Sequence, residues 1–438
     1  MLIEARQVTP GEPRHLITSS QGGLRKSCAG NGIVSEPEIP CATLAAASPE
    51  SMQIGLDGFP LVSPKTGVGH YTFELATELA RLAPEHAFEL IAPADFPAEV
   101  LKHVSSYPNL RAVRVTTNLI TRRWWAVGLP RYVRWAGLDL FHGTNYEVPL
   151  RSYRRNVLTV HDLSLFTHPE THDRRIARRS RRRLPIMVRS AARIITPIEA
   201  IKREVIDRFK LDSNIVTVTP YAPRKTFRPM PAGQTAEVKQ RLGIADDFIL
   251  SVGTIEPRKN LPTLVRAFAE LLRHTEHRPQ LIIAGPKGWL TAEFDRAVAE
   301  ADFGDRLRMI GYVSDEDLRS LYSSCKAFVY PSLYEGFGLP PLEAMVCGAP
   351  VIASRIAAHV ETLGAHAHLV EPTDERALAQ VITTLLENQN ERNRMSQSGI
   401  EHAAQFSWEK TAKLTLQVYE GLLTKNTDPA VDLSATDR

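Results

Sequence analysis

The chain has 438 residues, 43% of them hydrophobic, so it is long enough and apolar enough for two packed domains. Its 53 basic and 49 acidic residues nearly balance, and the formal net charge of +4 excludes a general nucleic-acid binder with a strongly basic surface. Four cysteines lie far apart without CxxC spacing, which predicts neither a disulfide framework nor a zinc site. No apolar run reaches the roughly 18 residues of a membrane span and no signal peptide is evident, so a cytoplasmic protein is expected.

The first 51 residues differ in composition from the rest of the chain. They contain no Phe, Tyr or Trp and are scattered with Gly, Pro and Ser. Such a segment has little apolar surface to offset the entropy lost on ordering. We predict that residues 1–51 form a disordered extension, either a mis-assigned start or a regulatory arm.

From residue 52, apolar runs alternate with helical stretches. The run MQIGLDGFPLV predicts a first strand, and the glycine turn after it opens an amphipathic helix that carries Leu75, Ala76 and Leu79. Further strands are predicted at FELIAP, LDLFHGT, NVLTVHDLS, ARIITP and IVTVTP. This alternation indicates a parallel sheet and a first Rossmann-like domain over residues 52–225.

A stretch rich in Pro and basic residues, 219–233, is predicted to be a linker. The alternation then resumes with FILSVGT, QLIIAG, LRMIGYV, AFVYPS and APVIAS, and a helix is predicted to begin at Leu342. The fold class is therefore α/β, with a second Rossmann-like domain over residues 226–405. A helix over 406–424 is expected to cross back to the first domain, followed by a flexible tail, 425–438.

In a doubly wound sheet, ligands bind outside the carboxyl ends of the strands, so residues just after each strand are site candidates. Gly67 and Gly69 would let backbone N–H groups approach an anion at a helix N-terminus. The third glycine of the dinucleotide fingerprint is missing, and a plain tight turn fits equally well. His161 and Asp162 end another strand, where an imidazole could contact a hydroxyl or a developing charge. As an isolated pair they are more typical of a turn cap.

Two adjacent cations follow the first strand of the second domain. Gly253 and Thr254 end this strand, and Arg258 and Lys259 precede the next helix. Such a pair suits a diphosphate, because guanidinium and ammonium groups supply charge-assisted hydrogen bonds that can replace a divalent metal. The alternative is a solvated basic pair with Asn260 as the helix N-cap.

The segment YPSLYEGFGLPPLEAMVCG places Glu335 and Glu343 eight positions apart, around a Gly-Phe-Gly turn. Glu343 is predicted in a first helical turn that Pro341 helps to start, where a carboxylate ordinarily adds ~0.3–1 kcal/mol through the helix dipole. Glu335 has no such structural explanation, and Gly336 and Gly338 beside it expose backbone donors. Paired carboxylates next to exposed amides suit a ligand rich in hydroxyl groups.

Together, these motifs resemble the family 4 retaining glycosyltransferases of the GT-B fold. EGFGLPPLEAM is similar to the Glu-x7-Glu motif of that family, and DGFPLVSPKTGVGHYT, GTIEPRKNL, IIAGPKGWL and GYVSDEDLRSLYSSC resemble its other segments in the same order. The likeness covers nearly all of residues 52–424 and implies two Rossmann-like domains that face each other across a cleft. The overall pattern is closer to bacterial mannosyltransferases of O-antigen or polysaccharide synthesis than to sucrose or starch enzymes.

The resemblance implies a role for each strand-end residue. The Arg-Lys pair would hold the diphosphate of the donor, Glu343 would bind its ribose, and Gly69 would lie near its phosphates. Glu335 would face the transferred sugar as a catalytic residue, with His161 and Asp162 at the reacting centre. The other predicted donor-binding residues are Gly253, Thr254, Gly336, Phe337, Gly338 and Leu339.

Two segments need separate interpretation. In residues 357–372 the family often has Pro-Glu-Val before a Gly-Asp, and here Glu361 stands for that glutamate, with Val360 in place of the proline. The acids of residues 315–317 follow Ser314, which is typical of a helix start rather than of a metal-binding Asp-x-Asp. We therefore expect no catalytic metal and no cofactor.

The predicted activity is transfer of a hexose from a nucleotide-diphosphate sugar, with GDP-mannose as first candidate, to a saccharide or lipid-linked glycan in cell-surface polysaccharide synthesis. The resemblance implies retention of configuration, and we expect front-side attack in which the leaving phosphate takes the acceptor's proton. A nucleotide-sugar hydrolase or epimerase of the same fold, or a non-catalytic sugar-nucleotide sensor, stays open. A nicotinamide oxidoreductase is disfavoured because the full glycine fingerprint is missing.

Two basic segments predict a membrane partner. Residues 121–135 interleave three tryptophans with four arginines, and residues 174–193 carry nine arginines around a helical pattern. Basic residues with interfacial aromatics suit an anionic membrane or a lipid diphosphate, which would place the protein on the inner face of the plasma membrane. The alternative is a solvated helix face with buried tryptophans. No nucleic-acid partner is expected.

Overall fold

The computed structural model describes residues 51–63, 67–150, 155–301 and 303–423. The predicted disorder before residue 51 and the predicted flexible tail after residue 424 lie outside the described residues.

The first domain is a parallel sheet with helices on its faces. Its strands are β1 Gln53–Asp57, β2 Ala87–Ala92, β3 Leu110–Arg114, β4 Leu140–Gly143, β5 Asn156–Thr159, β6 Arg193–Thr196 and β7 Val216–Val218. Its helices are α1 Gly67–Leu82, α2 Ala98–Val104, α3 Leu129–Trp135, α4 Ser164–Thr167, α5 Arg174–Arg189 and α6 Glu199–Phe209, and a π-helix, Trp124–Gly128, leads into α3. The strand order is β3-β2-β1-β4-β5-β6-β7, so the order reverses between β1 and β4.

The second domain repeats this architecture. Its strands are β8 Phe248–Val252, β9 Gln280–Ala284, β10 Leu307–Gly311, β11 Ala327–Tyr330, β12 Val351–Ser354 and β13 His368–Val370. Its helices are α7 Ala232–Leu242, α8 Leu261–His274, α9 Ala292–Ala299, α10 Asp315–Ser324, α11 Leu339–Val346, α12 Ala357–Leu363, α13 Glu375–Glu387 and α14 Gln389–Ala403. The order β10-β9-β8-β11-β12-β13 reverses between β8 and β11.

The central strands are buried on both faces, which explains why they are continuous apolar runs in the sequence. Every residue of β4, β11 and β12 is buried. A parallel sheet is covered by helices on both sides, so its strands have no solvent face that would require alternation. The covering helices are amphipathic, and α8 packs Leu264, Val265 and Phe268 into the core of the second domain.

A last helix, α15 Trp408–Leu423, returns to the first domain and packs along α1. Its Tyr419 hydroxyl lies 2.7 Å from His142 Nδ1 on β4, and its Trp408 Nε1 donates to the carbonyl of Pro223 at 3.1 Å. The two domains are therefore joined both by the segment after β7 and by the segment before α15.

The structure differs from the sequence prediction at two edge strands and at one helix start. β3 and β13 were not predicted, and both lie at a sheet edge, where one side of the strand is unpaired and the apolar pattern is weaker. The helix predicted from Leu342 begins at Leu339 instead, so Pro340, not Pro341, is at its start. Glu343 consequently lies in the second helical turn, and the predicted first-turn position was wrong.

Candidate active site

Two buried cations and a glutamate meet where β8 and β11 end. Arg258 and Lys259 lie in a 3₁₀ turn, Pro257–Lys259, just before α8. Glu335 forms an ion pair with Arg258, whose Nη1 lies 2.9 Å from its Oε2, and accepts a hydrogen bond from Lys259 Nζ at 2.7 Å. Glu256 accepts from Arg258 Nη2 at 2.7 Å. Residues 76 positions apart in sequence thus form one network at the point where the strand order reverses, which is where doubly wound sheets bind ligands.

This network keeps Glu335 ionised. Burial alone would raise the pKa of Glu335, but Arg258 and Lys259 outweigh it and hold this pKa well below its usual range. Burial lowers the pKa of Lys259, and the neighbouring Arg258 lowers it further. An ionised Glu335 can accept hydrogen bonds from hydroxyl groups, but it has no proton to donate near neutral pH.

Each cation keeps hydrogen-bonding capacity that the described residues do not use. Arg258 Nε is buried and has no hydrogen-bond partner within the described chain. Lys259 Nζ donates to Tyr330 Oη and to Glu335, which uses two of its three donors among the same residues. A buried N–H group without a partner is costly, and an anionic oxygen at this position would satisfy it.

The Gly-Phe-Gly turn lies against the first domain. A Cβ atom on Gly336 would lie 2.0 Å from the carbonyl oxygen of His161 and 2.9 Å from Asp162 Cβ, so only glycine fits here. Gly338 has φ +88° and caps α11, in a left-handed conformation that favours glycine. The structure thus brings the predicted Gly336 and Gly338 of one domain to the predicted His161 and Asp162 of the other.

His161 is buried with both ring nitrogens bonded inside the protein. Its Nε2 lies 2.7 Å from the carbonyl oxygen of Thr144, which only accepts, so Nε2 carries a proton. Its Nδ1 lies 2.6 Å from the hydroxyl of Tyr221. Burial lowers the pKa of His161 to about 4, so the ring is neutral near pH 7 and Nδ1 is an acceptor. Asp162 Oδ1 accepts from the backbone N–H of Ser164, the first residue of α4, at 2.9 Å.

Glu343 is buried in a second network. Arg224 donates to it through Nε at 2.7 Å and Nη2 at 2.8 Å, and donates through Nη1 to Asp315 at 2.6 Å. Arg224 belongs to the segment between the two domains, so the predicted ribose-binding glutamate is fixed by a residue of the predicted linker.

The remaining predicted residues lie around these networks. Gly69 is the third residue of α1 and is buried, so it lies inside the helix rather than in a preceding turn. Gly253 has φ +142°, and its Cβ position would be 3.5 Å from the Lys259 side chain. Thr254 follows it, with its methyl group near Gly288. The Phe337 ring packs against Tyr221 and Phe406, away from the cations, and Leu339 is the first residue of α11.

Several residues that the sequence prediction did not assign to the site also take part. Tyr334 bridges the cleft, because its hydroxyl accepts from Leu163 N at 3.1 Å and donates to Glu204 at 2.7 Å. His359 is buried behind Gly338, and its Nε2 has no partner within the described chain. Tyr221 and Arg224 follow β7 directly, so their position at a strand end was the signal that could have identified them.

Glu361, assigned in sequence to the divergent loop, caps a helix of the opposite domain. Its carboxylate accepts from the backbone N–H groups of Glu199 at 2.7 Å and Ala200 at 2.9 Å, at the start of α6. Ile198, the N-cap residue of α6, provides no side-chain bond. Glu361 therefore holds the two domains together across the cleft.

The acids of residues 315–317 are engaged in structural contacts. The Ser314 hydroxyl accepts from Asp317 N at 3.1 Å, which is the predicted helix cap. Asp315 pairs with Arg224, and Asp317 pairs with Arg241. Among the residues of known position, no group of three or more His, Cys, Asp or Glu side chains is placed to hold a metal ion.

The two basic segments flank one loop of the first domain. In the loop after β4, Glu147 pairs with Arg183 of α5 at 2.7 Å, and Leu150 N donates to the carbonyl of Trp125 at 3.0 Å. Within these two segments, the exposed arginines that have no ion-pair partner among the described residues are Arg122, Arg123, Arg131, Arg134, Arg174, Arg175, Arg178, Arg179, Arg181, Arg182 and Arg189. Trp124 is buried, but Trp135 is 72% exposed, as are Leu119 at 79% and Ile120 at 70%. Over the described ranges, no helix has the length and apolar character that crossing a membrane requires.

Comparison with known proteins identifies related sequences over both domains. The model described as glycosyltransferase family 4 matches residues 65–221, and that of glycosyl transferases group 1 matches residues 234–402. The O-antigen chain mannosyltransferase B of Escherichia coli is 32% identical over 82% of this chain and 97% of its own length. The O-antigen chain mannosyltransferase RfbU of Salmonella typhimurium is 25% identical over 73% of this chain and 87% of its own length.

Solved structures resemble the chain in fold. Sucrose-phosphate synthase of Thermosynechococcus elongatus has a TM-score of 0.66 at 22% identity, covering 85% of this chain and 99% of its own. HepE of Anabaena, in complex with UDP-glucose, has a TM-score of 0.66 at 18% identity, covering 85% of this chain and 100% of its own. These likenesses confirm the predicted pair of Rossmann-like domains.

Proposed function

The chain belongs to the group 1 and family 4 glycosyltransferases, and we propose that it transfers mannose from GDP-mannose to a glycan acceptor. The acceptor is a saccharide or a lipid-linked glycan of cell-surface polysaccharide synthesis. Two relatives named as O-antigen chain mannosyltransferases support this substrate class. Transfer proceeds with retention of configuration and without a metal ion.

The observation that carries this proposal is the pairing of two buried cations with Glu335 beside the Gly-Phe-Gly turn. Arg258 Nε, which has no partner among the described residues, and the third donor of Lys259 suit the oxygens of a diphosphate. Glu335, ionised and next to the Gly-Phe-Gly turn, suits the hydroxyl groups of a sugar. The buried Glu343, fixed by Arg224, suits the ribose.

In the proposed reaction, the bond between C1 of the sugar and the diphosphate oxygen breaks, and a bond from C1 to the acceptor oxygen forms on the same face. The acceptor's proton passes to the departing phosphate oxygen. Both ring nitrogens of His161 are already bonded to Thr144 and Tyr221, which favours the phosphate over this imidazole as the base. Arg258 and Lys259 stabilise the charge that develops on the diphosphate, through preorganised electrostatics.

The test is turnover of a panel of GDP and UDP sugars, with and without a saccharide acceptor. We expect GDP-mannose to be consumed only with acceptor, and proton NMR to show an α-linked product. Lys259→Met should reduce turnover roughly 100-fold, as removal of a transition-state donor does. Arg273→Gln, a change at an exposed arginine of α8, is the control. Equal release of free sugar with and without acceptor would establish a hydrolase instead.

The same proposal includes docking at the inner face of the plasma membrane. The helix α5, whose exposed arginines have no ion-pair partner among the described residues, and the segment that carries the exposed Trp135 both contact the loop after β4. Arginine side chains are attracted to anionic lipid, and Trp inserts at the interface. Because each arginine near an anionic surface contributes about 1 kcal/mol, Arg178→Ser combined with Arg182→Ser should weaken binding to anionic vesicles about 30-fold.

A matched control changes Arg278 and Arg376, two exposed arginines of the second domain, to serine. Flotation with anionic and with neutral vesicles gives the readout. Absence of the wild-type protein from both vesicle fractions would refute membrane docking without affecting the assignment of the reaction.

A further inference from the structure

The segment between β7 and α7, residues 219–231, contacts both halves of the candidate active site. We call this segment the linker. Tyr221 lies near its start and Arg224 three residues later, and each one contacts a different residue with a predicted ligand role.

Tyr221 is buried between the two domains. Its hydroxyl lies 2.6 Å from His161 Nδ1, and because that nitrogen is an acceptor, the tyrosine is the donor. Its ring is 5.0 Å from that of Phe337, in the Gly-Phe-Gly turn, and 4.6 Å from that of Tyr71 on α1. The ring also stacks on Trp408, at 6.3 Å and 13°. Tyr221 is therefore positioned by α1, α15 and the glycine turn together.

Arg224 holds Glu343 through two parallel hydrogen bonds, a geometry that fixes the carboxylate in one plane. A carboxylate has about four lone-pair sites, so the two that Arg224 does not use can accept hydrogen bonds from a vicinal diol. The guanidinium itself is fixed by Asp315 and by the ring of Phe227, whose centre is 4.1 Å away.

We propose that Tyr221 and Arg224 are positioning residues for the donor. Tyr221 fixes His161, whose carbonyl oxygen packs on Gly336 of the glycine turn at the sugar end, and Arg224 orients Glu343 at the ribose end. This inference rests on the proposed function. The linker then acts as part of the active site, and a change in its conformation alters both ends of the donor site at once.

Tyr221→Phe tests the sugar end, because it removes only the hydroxyl and keeps the aromatic packing. We expect kcat to fall about tenfold, the effect of one lost hydrogen bond, with the Kd for GDP unchanged. The ¹⁵N resonance of His161 Nδ1 should shift as its hydrogen bond is lost. Tyr419→Phe is the matched control, since it removes another buried tyrosine–histidine bond, between Tyr419 of α15 and His142 of β4. Equal kcat values for the two variants would refute the role of Tyr221.

Arg224→Lys tests the ribose end, because it keeps the charge but loses the paired geometry. We expect the Kd for GDP to rise roughly tenfold, the preference for GDP over 2′-deoxy-GDP to shrink, and kcat at saturating donor to be retained. Asp315→Asn breaks only the other side of the network and should give a smaller change in the same direction. Arg241→Gln breaks the ion pair between Arg241 and Asp317, and Asp317 lies on α10 as Asp315 does. This change should alter neither the Kd for GDP nor the preference for GDP over 2′-deoxy-GDP.

The two proposals fail in different ways. A wild-type protein that binds neither GDP nor UDP and transfers no sugar would overturn the proposed function. A wild-type protein that binds GDP and transfers mannose, with an Arg224→Lys variant that has the same Kd and the same preference for the 2′-hydroxyl, would overturn the role of the linker alone.

Discussion

Replacing Gly336 by Ala should slow the reaction by opening the contact between the two domains. The new Cβ would lie 2.0 Å from the carbonyl oxygen of His161. Since a carbon and a carbonyl oxygen ordinarily approach no closer than about 3.3 Å, the two segments have to separate by roughly 1.3 Å. A displacement of about 1 Å at a reacting centre costs on the order of 100-fold in rate, so we expect kcat to fall by about that factor.

Stability should respond less than activity does. Overpacking in a closed core costs about 1–3 kcal/mol because the surroundings cannot move. The contact at Gly336 lies between domains, so a small opening of the cleft relieves it. We therefore expect the Tm of the variant to lie close to that of the wild type, while small-angle scattering shows a larger radius of gyration.

The assay is steady-state turnover with GDP-mannose, together with calorimetry and scattering on the same samples. Gly421→Ala is the control, because no atom of the described residues lies within 4 Å of a Cβ at that position on α15. This change should leave kcat unaltered. It should stabilise the protein by about 0.4–1 kcal/mol, because alanine lowers the conformational entropy of the unfolded chain. A Gly336→Ala variant with wild-type kcat would refute the reasoning.

Two further predictions concern pH and domain closure. Burial lowers the pKa of His142 to about 3 and of His161 and His359 to about 4, and raises that of Asp57 to about 7. From pH 6 to pH 5, unfolding thus takes up about three protons and releases one, so the free energy of unfolding should fall by about 2.7 kcal/mol. Urea titrations at the two pH values measure this change. In the His359→Asn variant, unfolding should take up about one proton fewer, so the free energy of unfolding should depend less steeply on pH. A free energy of unfolding that is the same at both pH values would contradict the prediction. Glu361→Ala should weaken the closed arrangement by about 1 kcal/mol, the usual value of a helix cap, and an unchanged radius of gyration would count against this role.

The central strands of both sheets could be predicted because burial on both faces makes them continuous apolar runs. β11 and β12 are examples, since every one of their residues is buried. The strand β13 has no such pattern, because it is only three residues long and each of them is only partly buried. The start of α11 was misplaced since two prolines, Pro340 and Pro341, fit a helix start almost equally well.

The site could be predicted in part, for a related reason. The Arg258, Lys259 and Glu335 network uses residues that directly follow strands of one sheet, so the rule for parallel sheets places them together. Tyr221 and Arg224 lie in a segment without periodicity, and their partners belong to separate domains. Their position after β7 marks them as candidates, but their partners depend on how the domains pack.

The two networks also indicate which way the donor lies in the site. The Glu335 network joins two cations to two carboxylates, whereas the Glu343 network joins the single cation of Arg224 to two carboxylates. The first is neutral overall and retains N–H donors without partners among the described residues, and the second carries a net negative charge. In the proposed site, a diphosphate would therefore be stabilised beside Arg258 and Lys259, and the neutral hydroxyl groups of ribose would be stabilised beside Glu343. A donor bound in the opposite direction would bring phosphate oxygens against the excess carboxylate, which disfavours that orientation on electrostatic grounds alone.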